Sequence, residues 1–194
     1  MKDAIFLGLS FQNFSDLVSA AILVMFAINV IFLFLYLTKS KASTYIRNII
    51  NKNSYDIFIY KIIFVLGAGI IGANIYEVVY GDLPCILCWY QRVLIYPMFI
   101  IAVSELYLRT RVAHKFIAVL AVITTVLAAY HYRFHYIKYV LKDLVSVPCN
   151  ASPLMPTCGE AGVISYGFVT MPLMSFVIGV YVLTICFVLS KKAK

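Results

Sequence analysis

An all-α integral membrane protein is the fold class that this 194-residue sequence predicts. Two observations carry the prediction: 63% of the residues are hydrophobic against 12% charged, and the charged residues are confined to short stretches between long apolar runs. One water-soluble domain of this length cannot hide so much apolar surface in a single core. Because lipid offers no partners to open backbone groups, the apolar runs must be helices, and the alternation typical of a membrane barrel is absent.

The apolar runs number five, and each can cross the roughly 30 Å of hydrocarbon that about 20 helical residues span. They are residues 17–37, 60–80, 89–108, 112–132 and 168–189. The first run exceeds the usual apolar region of a signal peptide, and Lys39 and Lys41 follow it where a small-residue cleavage site belongs. We therefore expect a retained first helix and a small helical bundle.

Lysine and arginine counts between the runs predict the orientation, because positive residues are retained on the cytoplasmic side. Residues 38–61, residues 109–115 and the C-terminal tail together carry eleven of them, and the other segments carry five. We therefore expect the N-terminus outside a plasma or inner membrane and the C-terminus in the cytoplasm. The same bias, with attraction to anionic lipid, accounts for the net charge of +8, so no nucleic-acid partner is indicated.

Four of the five cysteines lie on the predicted outer side. Cys85 and Cys88, here called the membrane pair, stand at the mouth of the third helix, and Cys149 and Cys158, the loop pair, precede the fifth. Cys186 lies deep in the last helix, where we expect a small apolar packing residue. Four cysteines on a non-cytoplasmic face indicate an oxidising compartment and two dithiol/disulfide pairs.

Redox chemistry, structural disulfides and a zinc site are the alternatives for these four cysteines. A C-x-x-C is half of a common zinc ligand set, but Cys149 and Cys158 are spaced differently, in a loop with several prolines, so we expect no metal. A disulfide between Cys85 and Cys88 closes so small a ring that it adds little stability. Structural disulfides are therefore a weak explanation for the membrane pair, though they stay open.

The surroundings of the membrane pair favour redox chemistry. Pro84 and a turn-forming glycine precede it, so we expect a helix to begin close to Cys85 and to point its free N–H groups at the sulfurs, which favours the reactive thiolate. Arg92 follows Cys88 by four residues and therefore projects from the same helix face. The simpler alternative for Arg92 is an anchor that binds lipid phosphate. For Trp89 it is a residue of the aromatic belt at the membrane interface. Beside a dithiol, Trp89 can also form one side of a binding site for a flat ring.

At this point the sequence resembles the DsbB/BdbC family of membrane thiol oxidases, whose signature is P-C-x-L-C-W-Y-Q-R with a Y-P one turn later. Residues 84–92 read PCILCWYQR, and Tyr96 and Pro97 follow. His131, preceded by a tyrosine, resembles the family's Y-H, and YGFVTMPL at residues 166–173 resembles its entry to the last helix. The resemblance covers about residues 60–190, and it places Cys149 and Cys158 where the family has its second pair.

The resemblance implies an enzyme that makes disulfides for exported proteins and passes the electrons to a membrane quinone, either ubiquinone or menaquinone. A DsbA-like protein of the thioredoxin fold would dock reduced on the outer face and attack the loop disulfide, forming a mixed disulfide with Cys149. Cys158 would pass the electrons to Cys85 and Cys88, and Cys88 would donate them to the quinone. By family position, Arg92 would stabilise the negative charge on the thiolate and on the quinone, and His131 would form a hydrogen bond with the quinone oxygen. The alternative for His131 is a histidine at the membrane interface that contacts water and headgroups.

The family core has four helices, so the run 17–37 and the basic loop after it are additional. We therefore expect two parts: residues 1–58, with the extra helix and the loop, and residues 59–194, the four-helix oxidase core. Residues 134–144 carry apolar side chains at helical spacing opposite His135 and two lysines. This pattern predicts an interfacial helix on the outer leaflet, with packing against neighbouring helices as the alternative.

Two other functions remain open. An enzyme of the vitamin K epoxide reductase type also handles quinones with two cysteine pairs, but in that family the quinone-facing C-x-x-C comes after the loop pair, the reverse of the order here. A non-catalytic membrane protein with structural disulfides would leave Arg92 and the helix-mouth position of Cys85 unexplained.

Overall fold

The computed structural model describes residues 8–38, 43–45, 48, 50, 55–144, 147, 149 and 155–192. Within these residues no strand occurs, and an isolated antiparallel β-bridge pairs Ser165 with Val169. Five helices are long and apolar enough to cross a membrane, so the chain is an all-α, multi-pass membrane protein, as predicted. They are α1 (Phe11–Leu37), α2 (Tyr55–Asn74, continued by a π-helix at Ile75–Val79), α3 (Ile86–Leu108), α4 (Ala113–His135, continued by a π-helix at Tyr136–Val140) and α5 (Met171–Lys192).

Four of the helices form an up-and-down bundle. Helix α2 packs on α3, α3 on α4, α4 on α5 and α5 on α2, which closes a ring, and α1 packs against α5. The start of α1, the connection at residues 80–85 and the described residues between α4 and α5 lie together at one end, called here the cysteine end. The end of α1, the start of α2 and the connection at residues 109–112 lie at the other end.

The half of the bundle away from the cysteine end is closely packed and apolar. Ile59, Ile62, Met98 and Val182 are wholly buried there, in a core shared by α2, α3 and α5. Where α4 meets α5, a Cβ at Gly179 would overlap the Thr125 side chain, so the missing side chain lets the two backbones approach. Cys186 is buried in the same core, which confirms that it is a packing residue. This half gives the site a rigid support.

Helix α1 begins at Phe11, earlier than the apolar run at residue 17 predicts. Ser10 is the N-cap, and its hydroxyl accepts a 3.4 Å hydrogen bond from the backbone N–H of Asn13. The Ser15 hydroxyl donates to the Phe11 carbonyl over 2.7 Å, and Gln12 donates to Asp16 one turn later over 2.9 Å. Polar side chains that bond within the first turns extend the helix beyond its apolar part, which hydropathy alone does not register.

Residues 134–144 do not form a separate interfacial helix, so that prediction is wrong. Helix α4 continues through them in α and then π geometry as far as Val140. Phe134 is buried against Cys85, and His135, which the pattern placed on a polar face, is also buried. His135 points inward because it bonds the carbonyl of Cys158, a partner that the local sequence does not reveal. The packing alternative is the one that the structure supports.

Candidate active site

The membrane pair opens helix α3. Cys85 is the N-cap residue, in extended geometry with φ −72° and ψ 171°, and Cys88 lies in the first turn, which confirms that the helix begins next to the pair. Gly81, with φ of 67°, makes the turn that brings the chain from α2 to this position. Both cysteines are free, and their sulfurs are 3.2 Å apart. The sulfurs therefore lie at the positive end of the α3 dipole.

Cys85 carries the more acidic thiol of the pair. The hydrogen bond from the Cys88 thiol, with a further contribution from His131, lowers the pKa of Cys85 to about 4, although burial opposes the shift. A thiolate is the form that attacks disulfides and donates electrons. The surroundings of the reduced pair therefore favour the thiolate at Cys85.

The loop pair forms a disulfide, with the Cα atoms of Cys149 and Cys158 5.8 Å apart. Cys158 is wholly buried, and it shares one hydrophobic cluster with Cys85, Leu87 and Phe134. Cys88 and Cys149 pack on the same cluster. Two cysteine pairs that lie far apart along the chain are thus brought to one place.

The loop that carries Cys158 is fixed against the neighbouring connection. Gly162 lies so close to Asp82 that a Cβ would overlap the carboxylate, and the Ala161 N–H donates to the Tyr139 hydroxyl over 3.1 Å. Residues 150–154, between the two cysteines of the loop pair, lie outside the described residues. The Cys158 side of the loop is therefore the part that the structure ties to the membrane pair.

His131 joins the two pairs. Its ring is wholly buried, and its Nδ1 accepts a 3.1 Å hydrogen bond from the Gln91 side-chain amide, so Nε2 carries the proton. Nε2 lies 3.6 Å from the sulfur of Cys85 and 3.1 Å from the carbonyl oxygen of Cys158. Nε2 of His135, one turn along α4, reaches the same carbonyl over 3.1 Å. A single N–H group therefore faces a thiolate of one pair and the backbone of the other.

Arg92 does not stand alone on the face of Cys88. It forms an ion pair with Glu77 of α2 and donates a 3.0 Å hydrogen bond to the Ala73 carbonyl, and its guanidinium lies 5.5 Å from the centre of the Trp89 ring. The arginine is thus held by a carboxylate, a carbonyl and an aromatic face. A guanidinium with these partners inside the bundle is a positioned group, which goes beyond a lipid anchor.

A cavity of about 1020 Å³ opens beside the membrane pair. Cys85, Cys88 and Arg92 line its cysteine end, and most of the remaining wall is apolar and comes from α1, α2, α3 and α5. Phe64 and Ile71 line it and are 74% and 62% exposed, so the cavity opens at the flank of α2 within the membrane-spanning part. Its size is at the upper end of the roughly 300–1,000 Å³ usual for ligand sites.

This cavity fits an isoprenoid quinone in its chemistry. Two cysteine sulfurs and a guanidinium line one end, where a polar ring with two oxygens would lie, and apolar side chains line most of the rest, where a hydrocarbon tail would lie. Among the described lining residues, His131 and Trp89 are absent and His135 is present. A contact of His131 or Trp89 with a quinone therefore stays a prediction.

Cys85, Cys88 and His131 also present three potential metal ligands, whose ligand atoms all lie within 4.8 Å of one another. Two thiolates and an imidazole are ligands that zinc accepts. The prediction that no metal is used stays a prediction. Proton and electron exchange between these three side chains also requires distances this short.

Three further site residues escaped the sequence analysis: Glu77, Gln91 and His135. Gln91 belongs to the signature but had no role until His131 was found beside it. Glu77 carried a usable signal, since an acidic residue within a membrane-length run is costly and marks a functional site. His135 had none, because its partner is a backbone carbonyl 23 residues away.

Because thiol–disulfide exchange requires two cysteine pairs in contact, their adjacency within a bundle of membrane-spanning helices indicates a membrane thiol–disulfide oxidoreductase. Comparison with known families agrees: residues 56–189 match the family model "Disulfide bond formation protein DsbB". The chain belongs to the DsbB family, and helix α1 lies outside the matched segment. The proposed division at residue 58 stays a prediction.

Curated relatives carry the same kind of name. The "SPbeta prophage-derived disulfide bond formation protein B" of Bacillus subtilis (strain 168) is 31% identical over 120 residues, which cover 62% of this chain and 76% of the relative. "Disulfide bond formation protein C" of the same organism is 27% identical over 62% of this chain and 83% of its own length. A "Probable disulfide formation protein" of Metapseudomonas resinovorans is 30% identical over 50% and 64%. No solved structure matches this chain significantly.

Proposed function

We propose that this oxidoreductase transfers electrons from thiols to quinone, reoxidising a DsbA-like protein of the thioredoxin fold and so supporting disulfide formation in exported proteins. The observation that carries the proposal is that both cysteine pairs share one buried cluster, with Cys88 at the wall of a membrane cavity. Disulfide exchange requires a pair that a protein can reach, whereas a lipid-soluble acceptor requires a pair at the membrane. The half-buried Cys149 supports the first role for the loop pair, and the position of Cys88 at the cavity wall supports the second role for the membrane pair.

The loop pair receives electrons from the partner. A thiolate of the reduced partner attacks the loop disulfide at Cys149, forms a mixed disulfide there and releases Cys158 as a thiolate. The second thiol of the partner then attacks the mixed disulfide. The partner leaves oxidised, and Cys149 and Cys158 are left reduced with the two electrons.

Cys158 passes these electrons to the membrane pair. Its thiolate attacks the Cys85–Cys88 disulfide at Cys85, and Cys88 leaves as a thiolate. Cys149 then attacks the Cys85–Cys158 bond, which restores the loop disulfide and leaves the membrane pair reduced. The Nε2–H of His131 faces both Cys85 and the Cys158 backbone, and so supports the encounter.

Cys88 delivers the two electrons to the quinone. When bound, the quinone supplies an acceptor for two electrons and two protons. Cys85 closes the disulfide onto Cys88 as the two electrons leave. The Cys85 thiolate has no proton to give, so the Cys88 thiol provides one of the two protons and solvent at the cysteine end provides the other, which balances the step. Arg92, held by Glu77, presents a fixed positive charge on the same cavity wall, where negative charge develops.

The cysteine end is proposed to face the periplasm or the outside of the cell. Eleven of the sixteen lysines and arginines belong to segments at the other end, so the positive-inside tendency supports a cytoplasmic location for that end. The N-terminus then lies outside and the C-terminus in the cytoplasm. The loop pair faces an oxidising compartment, where disulfides persist.

A quinone-reduction assay tests the proposal. The purified protein is mixed with a reduced thioredoxin-fold partner and soluble ubiquinone or menaquinone analogues, and quinone absorbance is followed. We expect reduction by the native protein, no reduction by Cys88→Ser, and a rate within about twofold of native for Cys186→Ala, which changes only a packing residue. Absence of reduction by the native protein with either quinone would disprove the proposed reaction and favour structural disulfides.

A trapping experiment tests the order of electron flow. In Cys158→Ser the free Cys149 thiol is offered a partner that keeps one cysteine, activated as a mixed disulfide with thionitrobenzoate. Cys149 displaces thionitrobenzoate, and the partner has no second thiol to resolve the product, so the Cys149–partner disulfide should accumulate as a shifted band on a non-reducing gel. The matched variant Cys149→Ser should give no such band. A band with Cys149→Ser alone would reverse the assigned roles of the two cysteines.

A further inference from the structure

Helix α1 lies outside the family match at residues 56–189, yet it supplies a wall of the cavity beside the membrane pair. Five of its residues line that cavity, and they recur at helical spacing on one face. They are Phe14, Val18, Ala21, Ile22 and Met25. Every one of them is apolar, as the tail of a membrane quinone is.

The cysteine end of α1 is fixed to the bundle by aromatic contacts. Phe11 and Phe14 pack edge-on against Tyr76, with ring centres 5.9 and 5.3 Å apart, and both rings also contact Tyr80. The Tyr80 hydroxyl donates to the Leu9 carbonyl over 3.3 Å. This part of the wall therefore has a defined position relative to α2 and the membrane pair.

The other end of α1 is fixed to α5. Tyr36 is buried and packs edge-on against Phe187, with ring centres 6.2 Å apart. Between its two ends α1 keeps a second, outward face, on which Leu17, Val24 and Ile28 are exposed toward the lipid. Because both faces are apolar, the sequence does not reveal which one lines a cavity, and the structure does.

Small residues on the opposite wall keep space between α1 and α2. Ala68, Gly69 and Gly72 of α2 line the cavity, and a Cβ at Gly72 would meet nothing within 4 Å. The space runs from Cys88 and Arg92 at the cysteine end to Met25 and Ile178 farther down the bundle. It is thus elongated, with its polar groups at one end.

We propose that α1 is a substrate-binding helix: its cavity face holds the isoprenoid tail of the quinone while the ring lies at Cys88 and Arg92. The inference rests on the proposed function, because the occupant is the electron acceptor of that reaction. It goes beyond that function by giving the additional helix a role in affinity and in the choice of quinone. Apolar contact along such a face contributes to quinone affinity in proportion to the apolar area that binding removes from solvent.

The test compares two alanines of the same helix. Ala21 lines the cavity and Ala27 does not, and both are exposed. Quinone binding is measured in detergent by quenching of the fluorescence of Trp89, the single tryptophan, which lies next to Arg92. Neither Ala21→Phe nor Ala27→Phe adds a tryptophan, so the signal is the same in all three proteins.

We expect Ala21→Phe to weaken binding of a quinone with an isoprenoid tail by at least about tenfold, because the new ring fills the space of the tail. Ala27→Phe should bind within about twofold of native, since it projects from the lipid face. A ring-only quinone should be affected less than the tailed one. Equal binding of the tailed quinone by native protein and Ala21→Phe would overturn the proposal.

A second variant covers a failure of Ala21→Phe to fold, judged by its melting temperature. Met25→Ala removes tail contact without adding bulk and should weaken tailed-quinone binding about threefold to tenfold, while the ring-only quinone binds as before. Unchanged binding in Met25→Ala would also contradict a role for α1. If instead the native protein neither binds nor reduces quinone, the proposed function fails, which is a different outcome from loss of the α1 effect alone.

Discussion

The membrane pair and the loop pair share one cluster but stand on different kinds of backbone. Cys85 and Cys88 begin a membrane-spanning helix and are held against a cavity, whereas Cys149 and Cys158 bridge a long connection between α4 and α5. The loop pair reaches the cluster through Cys158, whose carbonyl accepts from two histidines. In the proposed reaction, this difference lets one site serve a soluble protein and a lipid-soluble quinone, because a helix anchors one cysteine pair and a loop carries the other.

Replacing Cys88 should have the largest effect on disulfide exchange between the membrane pair and the loop pair. In Cys88→Ser the thiolate of Cys85 has no resolving partner beside it, while Cys158 lies in the same cluster. The Cys85 thiolate should attack the loop disulfide at Cys158 and release Cys149 as a thiolate. We therefore expect a Cys85–Cys158 bond in most molecules, seen by mass spectrometry of a non-reduced digest. In Cys85→Ser the corresponding bond from Cys88 should be rare, because Cys88 faces the cavity. Equal trapping in both variants would mean that the two sulfurs are equivalent.

The acidity of Cys85 should depend mostly on Cys88 and less on His131. The Cys88 bond is the main cause that lowers the pKa of Cys85 to about 4, so Cys88→Ala should raise that pKa toward the ordinary value and His131→Ala should raise it less. Since a thiol is deprotonated above its pKa, the native pair keeps its thiolate absorbance at 240 nm near pH 6, and Cys88→Ala loses most of it there. The titration is done with both loop cysteines replaced by serine. A native midpoint near that of free cysteine would contradict the proposed hydrogen bonds.

His131 should control exchange between the pairs. His131→Ala removes the N–H that faces Cys85 and the Cys158 carbonyl, and a hydrogen bond to a charged group contributes about 1.5–3 kcal/mol, so exchange should slow about tenfold to one hundredfold. Stopped-flow mixing with reduced partner measures the rate. His114→Ala is the matched control, because that buried histidine bonds Tyr55 at the other end of the bundle. Slowing in both variants would indicate a general loss of packing.

Glu77 should have the smallest effect, on the quinone step alone. Glu77→Gln keeps a hydrogen-bond acceptor for Arg92 and removes the charge, in a pair whose side chains are 26% and 13% exposed. We expect the KM for quinone to rise about threefold to tenfold, with partner exchange unaffected at the loop pair. Steady-state kinetics with varied quinone measure it, and Asp16→Asn, at the same end of the bundle, is the control. An unchanged KM for quinone would mean that the charge of Glu77 does not support the role of Arg92 in quinone binding.

The fold follows from the sequence because hydropathy, length and the start of α3 are local signals. Five apolar runs became five spanning helices, and Cys85 caps α3 as the preceding turn and proline indicate. The ends of the helices were harder to predict from the sequence. Helix α1 starts among polar residues that bond to one another, and α4 continues past residue 132 because Phe134 and His135 are buried against distant partners.

Of the site, the sequence identified the residues of the motif but not their partners. The spacing of Cys88 and Arg92 placed both on one helix face, yet nothing near Arg92 in the chain indicated that Glu77 holds it. Gln91 likewise gained its role only when the bundle placed it beside His131. Contacts between side chains of different helices depend on how the helices pack. No short pattern in a single sequence indicates such contacts.

The N-cap position of Cys85 couples folding to redox equilibrium. A thiolate there is stabilised by the positive end of α3, and by the same thermodynamic cycle the thiolate stabilises the helix that begins behind it. Whatever favours the reduced form in the native chain makes the disulfide of the membrane pair a stronger oxidant than the same two cysteines in the unfolded chain. The oxidising power of this pair is therefore a property of the folded helix, lost when denaturant unwinds it and recovered when the helix forms again.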